Sequence, residues 1–283
     1  MSFLEYLKVI LIGIVEGVTE WLPVSSTGHM ILVENLVPME SMSEEFYAMF
    51  LYVIQFAAIL AVVCCFFGRL NPFSPKKSED ERKSTWKLWL NVLIGVIPAG
   101  IVGILFDDFV EETVIASDFG NFVIAGALIL YGVLFIVIER INRRRTAHTD
   151  TAEQLTPKSA LLIGLFQCLS IIPGTSRSGS TVLGGMSIGT SRVAAAEYSF
   201  FMAIPIMAGM SLLKIAKFVL SGYTCSLDEI LLLLVGSLVS FLVSLVVIRF
   251  LMDFVRRHSF EVFGWYRILL GILVILYFGL IAK

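Results

Sequence analysis

The sequence predicts an all-α polytopic membrane protein with six transmembrane helices plus two re-entrant helix hairpins, arranged as an inverted-topology repeat. Three observations predict it. The 283 residues are 57% hydrophobic and only 16% charged, against about 25% charged in a soluble domain. Basic and acidic loops alternate between long apolar segments. Two polar, proline-broken stretches interrupt apolar sequence, at a depth where an unpaired charge costs roughly 2.5–3.5 kcal/mol.

The first interrupted segment covers about 4–37. It lacks the basic start and small-residue cleavage site of a signal peptide, and its apolar run ends in Glu16 and Glu20, so it is expected to belong to the mature protein. Apolar segments near 46–67, 87–106 and 119–140 follow, and a second interrupted segment covers about 158–190. Three more apolar segments close the chain near 193–219, 228–250 and 261–282. Crossing a bilayer takes about 20 residues, so these six are the spans. The four cysteines, Cys64, Cys65, Cys168 and Cys225, match neither a zinc site nor a disulfide framework and read as small buried apolar residues.

Loop charge sets the orientation. Lys and Arg concentrate in 68–88, 140–158 and 249–258, whereas 38–45, 107–118 and 220–228 hold none. The positive-inside rule puts the basic loops in the cytoplasm and the acidic loops and both termini outside. The segment 158–190 then starts and ends inside, so it must enter the membrane and turn back; the first interrupted segment is expected to do the same from outside. The halves 1–140 and 158–283, joined by a basic cytoplasmic loop 141–157, form an inverted repeat of a single membrane domain. Non-helical turns at membrane depth survive only inside protein or against a wet cavity, so the two turns are expected to meet and build one site.

The first stretch contains Glu16-Gly-Val-Thr-Glu20-Trp-Leu-Pro23-Val-Ser25-Ser26-Thr27-Gly28-His29. Glu16 and Glu20 project from one helix face, a turn apart. Paired carboxylates repel unless a cation or a proton sits between them. Mg²⁺ or Ca²⁺ suits such ligands, with water and substrate phosphate completing the shell; a proton relay or transporter ion site is the other reading. A hydroxyl among Ser25, Ser26 and Thr27 could cap the next helix, or attack phosphorus with a base nearby. His29 suits a general acid, a general base or a nucleophile.

The second stretch contains Gln167-Cys-Leu-Ser170-Ile-Ile-Pro173-Gly174-Thr175-Ser176-Arg177-Ser178-Gly179-Ser180. The guanidinium of Arg177 can fork onto phosphate oxygens. Ser176, Ser178 and Ser180, with Gly174 and Gly179, suggest backbone N–H groups aimed at an anion at a helix start. The structural alternative pairs Arg177 with a buried carboxylate, and Glu197 is the candidate. Carboxylates for a metal, an arginine for phosphate and a hydroxyl or imidazole for attack together describe phosphoryl transfer. A site inside the bilayer implies a lipid-linked phosphate. Nothing in the chain, of net charge −2, suggests nucleic acid.

At these residues the whole chain resembles the undecaprenyl-diphosphate phosphatase family, also called the bacitracin-resistance protein family. Glu16-Gly-Val-Thr-Glu20 looks like that family's Glu/Gln-x-x-x-Glu motif, and Pro173 to Gly179 looks like its Pro-Gly-x-Ser-Arg-Ser-Gly motif. The resemblance implies a phosphatase of the bacterial cytoplasmic (inner) membrane. It would use a divalent cation to turn undecaprenyl diphosphate, a polyprenyl diphosphate lipid, into the monophosphate. That product is the carrier recycled for peptidoglycan, and the activity protects against bacitracin. The implied site is Glu16, Glu20, Ser26, His29, Ser176 and Arg177, with Thr27 and Ser178 in support. One rival is a secondary transporter or flippase for a lipid phosphate, since inverted repeats and broken helices are transporter features. Another is the type-2 phosphatidic-acid phosphatase family, whose Lys-x₆-Arg-Pro motif and second motif histidine are missing here. Three nucleophiles stay open: Ser26, His29 and metal-activated water.

Overall fold

The computed structural model describes residues 3–39, 42–115, 117 and 119–281. Glu40 and Asp118, two acids of the acidic loops, lie outside the described residues. The elements run α1 Phe3–Thr19, α2 Ser26–Leu36, α3 Glu44–Cys65, α4 Phe67–Leu70, α5 Glu79–Val110, α6 Gly120–Asn142, α7 Pro157–Cys168, α8 Arg177–Ser187, α9 Arg192–Leu220, α10 Leu227–Arg257 and α11 Glu261–Leu276. Single π-helical turns extend α5 (Glu111–Ile115) and α11 (Tyr277–Ile281). Short 3₁₀ turns precede α7 (Ala152–Gln154) and follow it (Leu169–Ile171). The chain is an all-helical, multi-pass membrane protein. Among the described residues six helices are long and apolar enough to cross a bilayer: Glu44–Cys65, Glu79–Phe106, Gly120–Asn142, Arg192–Leu220, Leu227–Arg257 and Glu261–Leu280. They match the six expected spans within a few residues, except that α5 and α10 extend about two turns into basic sequence.

The helices are apolar outside and carry small and polar residues inside, as lipid demands. On α10, Leu234, Leu238, Leu242 and Val246 recur every fourth residue and are exposed. Ser240 and Ser244, on the opposite face, are fully buried. Ser240 Oγ donates to the Ile54 carbonyl of α3 at 3.0 Å, so its hydroxyl is satisfied away from lipid. The cysteines are free; Cys64 is exposed on the outer face of α3 and the other three are half-buried, so the expectation of full burial fails. A thiol is apolar enough to face lipid chains.

Both interrupted segments are broken helices: α1 and α2 pack against each other, and so do α7 and α8. The two pairs then exchange partners across the chain. Helix α1 lies along α10 of the second half, and α7 lies along α5 of the first. At the second crossing a Cβ on Gly164 would overlap the Gly95 carbonyl oxygen, so the backbones touch. Helices α6 and α11 meet in the same way: a Cβ on Gly132 would lie 2.6 Å from Gly264 O, and one on Gly264 2.7 Å from Gly132 O. The main core is built from residues of α3 and of α5 to α11. There Trp21, 1% exposed, stands edge-on to Phe200 with ring centroids 5.4 Å apart and anchors the turn after α1.

The ends of the spans near the basic loops are tied by ion pairs. Arg69 bridges Glu153 at 2.7 Å and Glu197 at 2.6 Å. Arg192 at the start of α9 pairs with the fully buried Glu139 of α6. Glu139 also accepts the Phe260 backbone N–H at 3.1 Å, which fixes the start of α11.

Gly164→Val is expected to cost more than about 2 kcal/mol by overpacking a backbone contact. The open, exposed Gly126 is expected to tolerate alanine with no loss. Thermal unfolding of the detergent-purified proteins checks both; equal midpoints for Gly164→Val and the unaltered chain would remove the close-contact argument.

Candidate active site

Each turn between broken helices ends in a serine forced into a backbone conformation that L-residues avoid. Ser25 has φ 75° and Ser176 has φ 72°, the only positive-φ residues other than glycine among those described. Such conformations cost roughly 1–3 kcal/mol and persist where the surroundings over-determine them. Here capping does so. Ser25 Oγ accepts the Gly28 N–H at 3.3 Å and begins α2; Ser176 Oγ accepts the Gly179 N–H at 3.1 Å and begins α8. The two turns therefore share one construction, with Ser26 at the first helical position of α2 and Arg177 at that of α8. Gly174 has φ +91°, and a Cβ there would fall 2.5 Å from Ile124 O, so α6 presses this turn into place.

The turns meet. Arg177 Nη2 donates to Glu20 Oε1 at 2.8 Å, and Ser26 Oγ donates to the other carboxylate oxygen, Glu20 Oε2, at 2.9 Å. Arg177 Nη1 is held by the Ser199 carbonyl of α9 at 2.9 Å. One buried carboxylate thus joins the hydroxyl of the first stretch to the guanidinium of the second. Ser178 Oγ lies 3.2 Å from Glu20 O and 3.3 Å from Leu22 O, so its hydroxyl ties the turns together. Ser176 Oγ lies 3.1 Å from Ser178 Oγ. The structural alternative paired Arg177 with a buried carboxylate; it does pair with one, Glu20, whereas the candidate Glu197 holds Arg69.

Glu20, Ser26, Thr27, Ser176, Arg177 and Ser178 line one cavity of about 210 Å³. Tyr52 and Gln55 of α3 and Ile206, Met207 and Met210 of α9 also line it. Sequence reasoning missed these five. Gln55, an amide inside an apolar span, was the one signal available. The end of the cavity made by the turns is polar and the α9 side is apolar, as an amphiphile requires.

His29 points elsewhere. Its Nδ1 is 2.7 Å from the Ser25 carbonyl, which can only accept, so Nδ1 carries the proton. In the neutral ring Nε2 then accepts from Tyr266 O–H at 2.6 Å. The ring lies parallel to Tyr266 and faces a separate apolar groove of about 450 Å³ between α1 and α11. Both nitrogens are engaged, neither in the cavity with Ser26. Ser180, the second-stretch residue four after Ser176, is fully buried and donates to Tyr131 Oη at 3.2 Å.

Glu16 lies one turn before Glu20, is 1% exposed, and its Oε1 has no hydrogen-bond partner. A buried carboxylate oxygen without a donor is one that either a cation or a proton would satisfy. Among the described residues no group of three His, Cys, Asp or Glu comes together. A hard divalent ion held by Glu16 and Glu20 would need oxygens from substrate and water, which is how such ions bind phosphate substrates. The donor set fits on those terms.

The family model described as "Bacitracin resistance protein BacA" matches residues 9–273. The chain belongs to this family. It is 53% identical over 275 residues to the undecaprenyl-diphosphatase of Latilactobacillus sakei, covering 97% of this chain and 98% of the relative. It is 52% identical over 278 residues to one from Enterococcus faecalis, covering 98% of each. Undecaprenyl-diphosphatase 1 of Clostridioides difficile is 52% identical over 280 residues, covering 99% of this chain and 98% of that protein. Family membership spans both stretches and both sets of three long helices.

Replacing either strained serine tests the caps. Ser25→Ala and Ser176→Ala each lose the cap and keep the unfavourable φ, at about 1–2 kcal/mol. Ser→Gly at either position relieves the strain as the cap is lost and is expected to stay within about 0.5 kcal/mol. Thermal midpoints in detergent read the order; alanine equal to glycine at both positions would discard the strain argument.

Proposed function

We propose that this protein is a membrane phosphatase that hydrolyses undecaprenyl diphosphate to undecaprenyl phosphate and inorganic phosphate. It thereby recycles the lipid carrier of peptidoglycan synthesis and protects against bacitracin. The observation that carries the reading is the Ser26–Glu20–Arg177 chain of hydrogen bonds, built from both stretches inside one cavity. The names of the relatives, each an undecaprenyl-diphosphatase, supply the lipid.

The roles follow from the contacts. Arg177 binds the terminal phosphate, with the backbone at the start of α8 and the hydroxyls of Thr27 and Ser176 around it. Arriving phosphate oxygens compete with Glu20 for the guanidinium and leave the carboxylate free to act as a base. Ser26 Oγ attacks the terminal phosphorus while its proton passes to Glu20 Oε2. The bond between that phosphorus and the bridging oxygen breaks, and undecaprenyl phosphate leaves. Water then attacks the phosphoserine; the released Ser26 oxygen takes back the proton from Glu20, and inorganic phosphate departs. The sum consumes one water per diphosphate. Glu16 and Glu20 are the residues that would hold a Mg²⁺ or Ca²⁺ ion, which when bound would offset the charge of the diphosphate. His29 acts by holding the Ser25 carbonyl, and so the start of α2.

The orientation belongs to the same proposal. The basic loops face the cytoplasm, the acidic loops and both termini face out, and the two broken helices are re-entrant hairpins entering from opposite sides as an inverted repeat, halves 1–140 and 158–283. Support comes from the loop charges and from the exchanged packing of α1 on α10 and α7 on α5. The bacterial cytoplasmic membrane is the location, where the carrier lipid is used.

Phosphate release from a polyprenyl diphosphate by the purified protein tests the reading. Glu20→Ala, Arg177→Ala and Ser26→Ala are each expected to lose at least about 100-fold in kcat. His29→Asn, whose amide can still donate to Ser25 O, is expected to stay within about tenfold. No phosphate release from well-folded unaltered protein would leave the flippase reading in its place. Full activity in Ser26→Ala would move the attack to water or His29. EDTA should abolish release and added Mg²⁺ or Ca²⁺ restore it; activity undiminished in chelator would remove the metal from the scheme.

A further inference from the structure

On the phosphatase reading, we infer that Arg267 of α11 is a positioning residue that sets the spacing between the two halves of the active site. It lies in neither stretch, and its side chain is fully buried. Among the described residues no carboxylate pairs with it. Its guanidinium is met instead by main chain: Nη1 donates to Pro23 O at 3.1 Å, and Nη2 donates to Gly174 O at 2.6 Å and Thr175 O at 3.0 Å. The Tyr131 ring of α6 covers it, 5.4 Å from ring centroid to Cζ.

The pattern of those bonds gives the role. Pro23 and Gly174 each stand two residues before a positive-φ serine, Ser25 and Ser176. One rigid fork therefore grips the same position of both turns, one nitrogen to each. Guanidinium is planar, so the separation of the gripped carbonyls is fixed by its own covalent geometry. Ser26 and Glu20 belong to one turn and Arg177 to the other. A buried charge without a counter-ion is costly and is retained here against main-chain acceptors that neutral side chains could not hold together so closely.

The consequence separates binding from chemistry. Holding the diphosphate draws mainly on the Arg177 turn. Attack requires Ser26, on the other turn, to reach the phosphorus, so the spacing enters mainly in the transition state. Misplacing reacting groups by about 1 Å costs on the order of 100-fold. An interaction made only in the transition state lowers kcat with little change in KM.

The test compares Arg267→Met and Arg267→Lys with the unaltered protein, using polyprenyl diphosphate in detergent, on fractions matched for elution volume and thermal midpoint. Arg267→Met is expected to lose about 100-fold or more in kcat with KM within about threefold. Arg267→Lys, whose single ammonium can still reach both turns, is expected to recover roughly tenfold of that loss. A kcat for Arg267→Met within about threefold of the unaltered protein overturns the inference, as does a loss carried by KM alone. Should Arg267→Met fail to fold, Arg267→Lys carries the test: a roughly tenfold lower kcat at an unchanged midpoint supports the inference, and an unchanged kcat overturns it. Failure of the phosphatase reading itself shows separately, as absent phosphate release from the unaltered protein.

Discussion

The structure turns on one buried ion pair, Glu20 with Arg177, whose side chains are 8% and 13% exposed. Removing two charges from water costs several kcal/mol per ion, so such a pair adds little net stability by itself. Its value is geometric. The carboxylate is also bound by Ser26 and the guanidinium by Ser199 O, so each group has a second partner fixed to a different helix. Breaking one member leaves the other buried and uncompensated, at about 3–5 kcal/mol. The rest of the fold supplies the conditions for this contact: the exchange of α1 and α7 between halves, the glycine-lined crossings that let backbones touch, and the capped serines that aim α2 and α8 into the cavity.

That exchange explains why neither stretch suffices. Glu16, Glu20, Ser26 and Thr27 come from the first, and Ser176, Arg177 and Ser178 from the second. On the proposed mechanism, a carboxylate–hydroxyl pair without the guanidinium has no counter-charge for phosphate, and a guanidinium without the pair has nothing to attack with. Ser26 lines the polar cavity and His29 the apolar groove beside α11, although they are three residues apart.

The six spans were legible because a bilayer imposes one length and one polarity on every helix that crosses it. The breaks after Glu20 and after Ser170 were legible because proline and glycine stop helices. That Glu20 and Arg177 belong to one site was legible from the cost of each charge alone in lipid. The direction of His29 was not, because its ring is held by the Ser25 carbonyl and by Tyr266, a residue more than two hundred positions away. Nor was the partner of Glu197, because Arg69 comes from a short helix that periodicity does not resolve. Arg267 was hidden among ordinary span residues. Its acceptors are main-chain carbonyls, which every residue carries and no side-chain pattern announces. Tyr52 and Gln55 reach the cavity only because α3 packs beside α9.

Sequence separation gives the central contact a dimension in time. Glu20 is 157 positions ahead of Arg177 and Pro23 is 244 ahead of Arg267. At roughly 5–20 residues per second of synthesis, the first hairpin leaves the ribosome about 8–30 s before its counter-charge does. For that interval Glu20 lacks Arg177, its partner in the folded chain. The central contact can therefore close only after α8 has been made, and the grip of Arg267 on both turns only after α11, so a chain that stops short of either lacks that link.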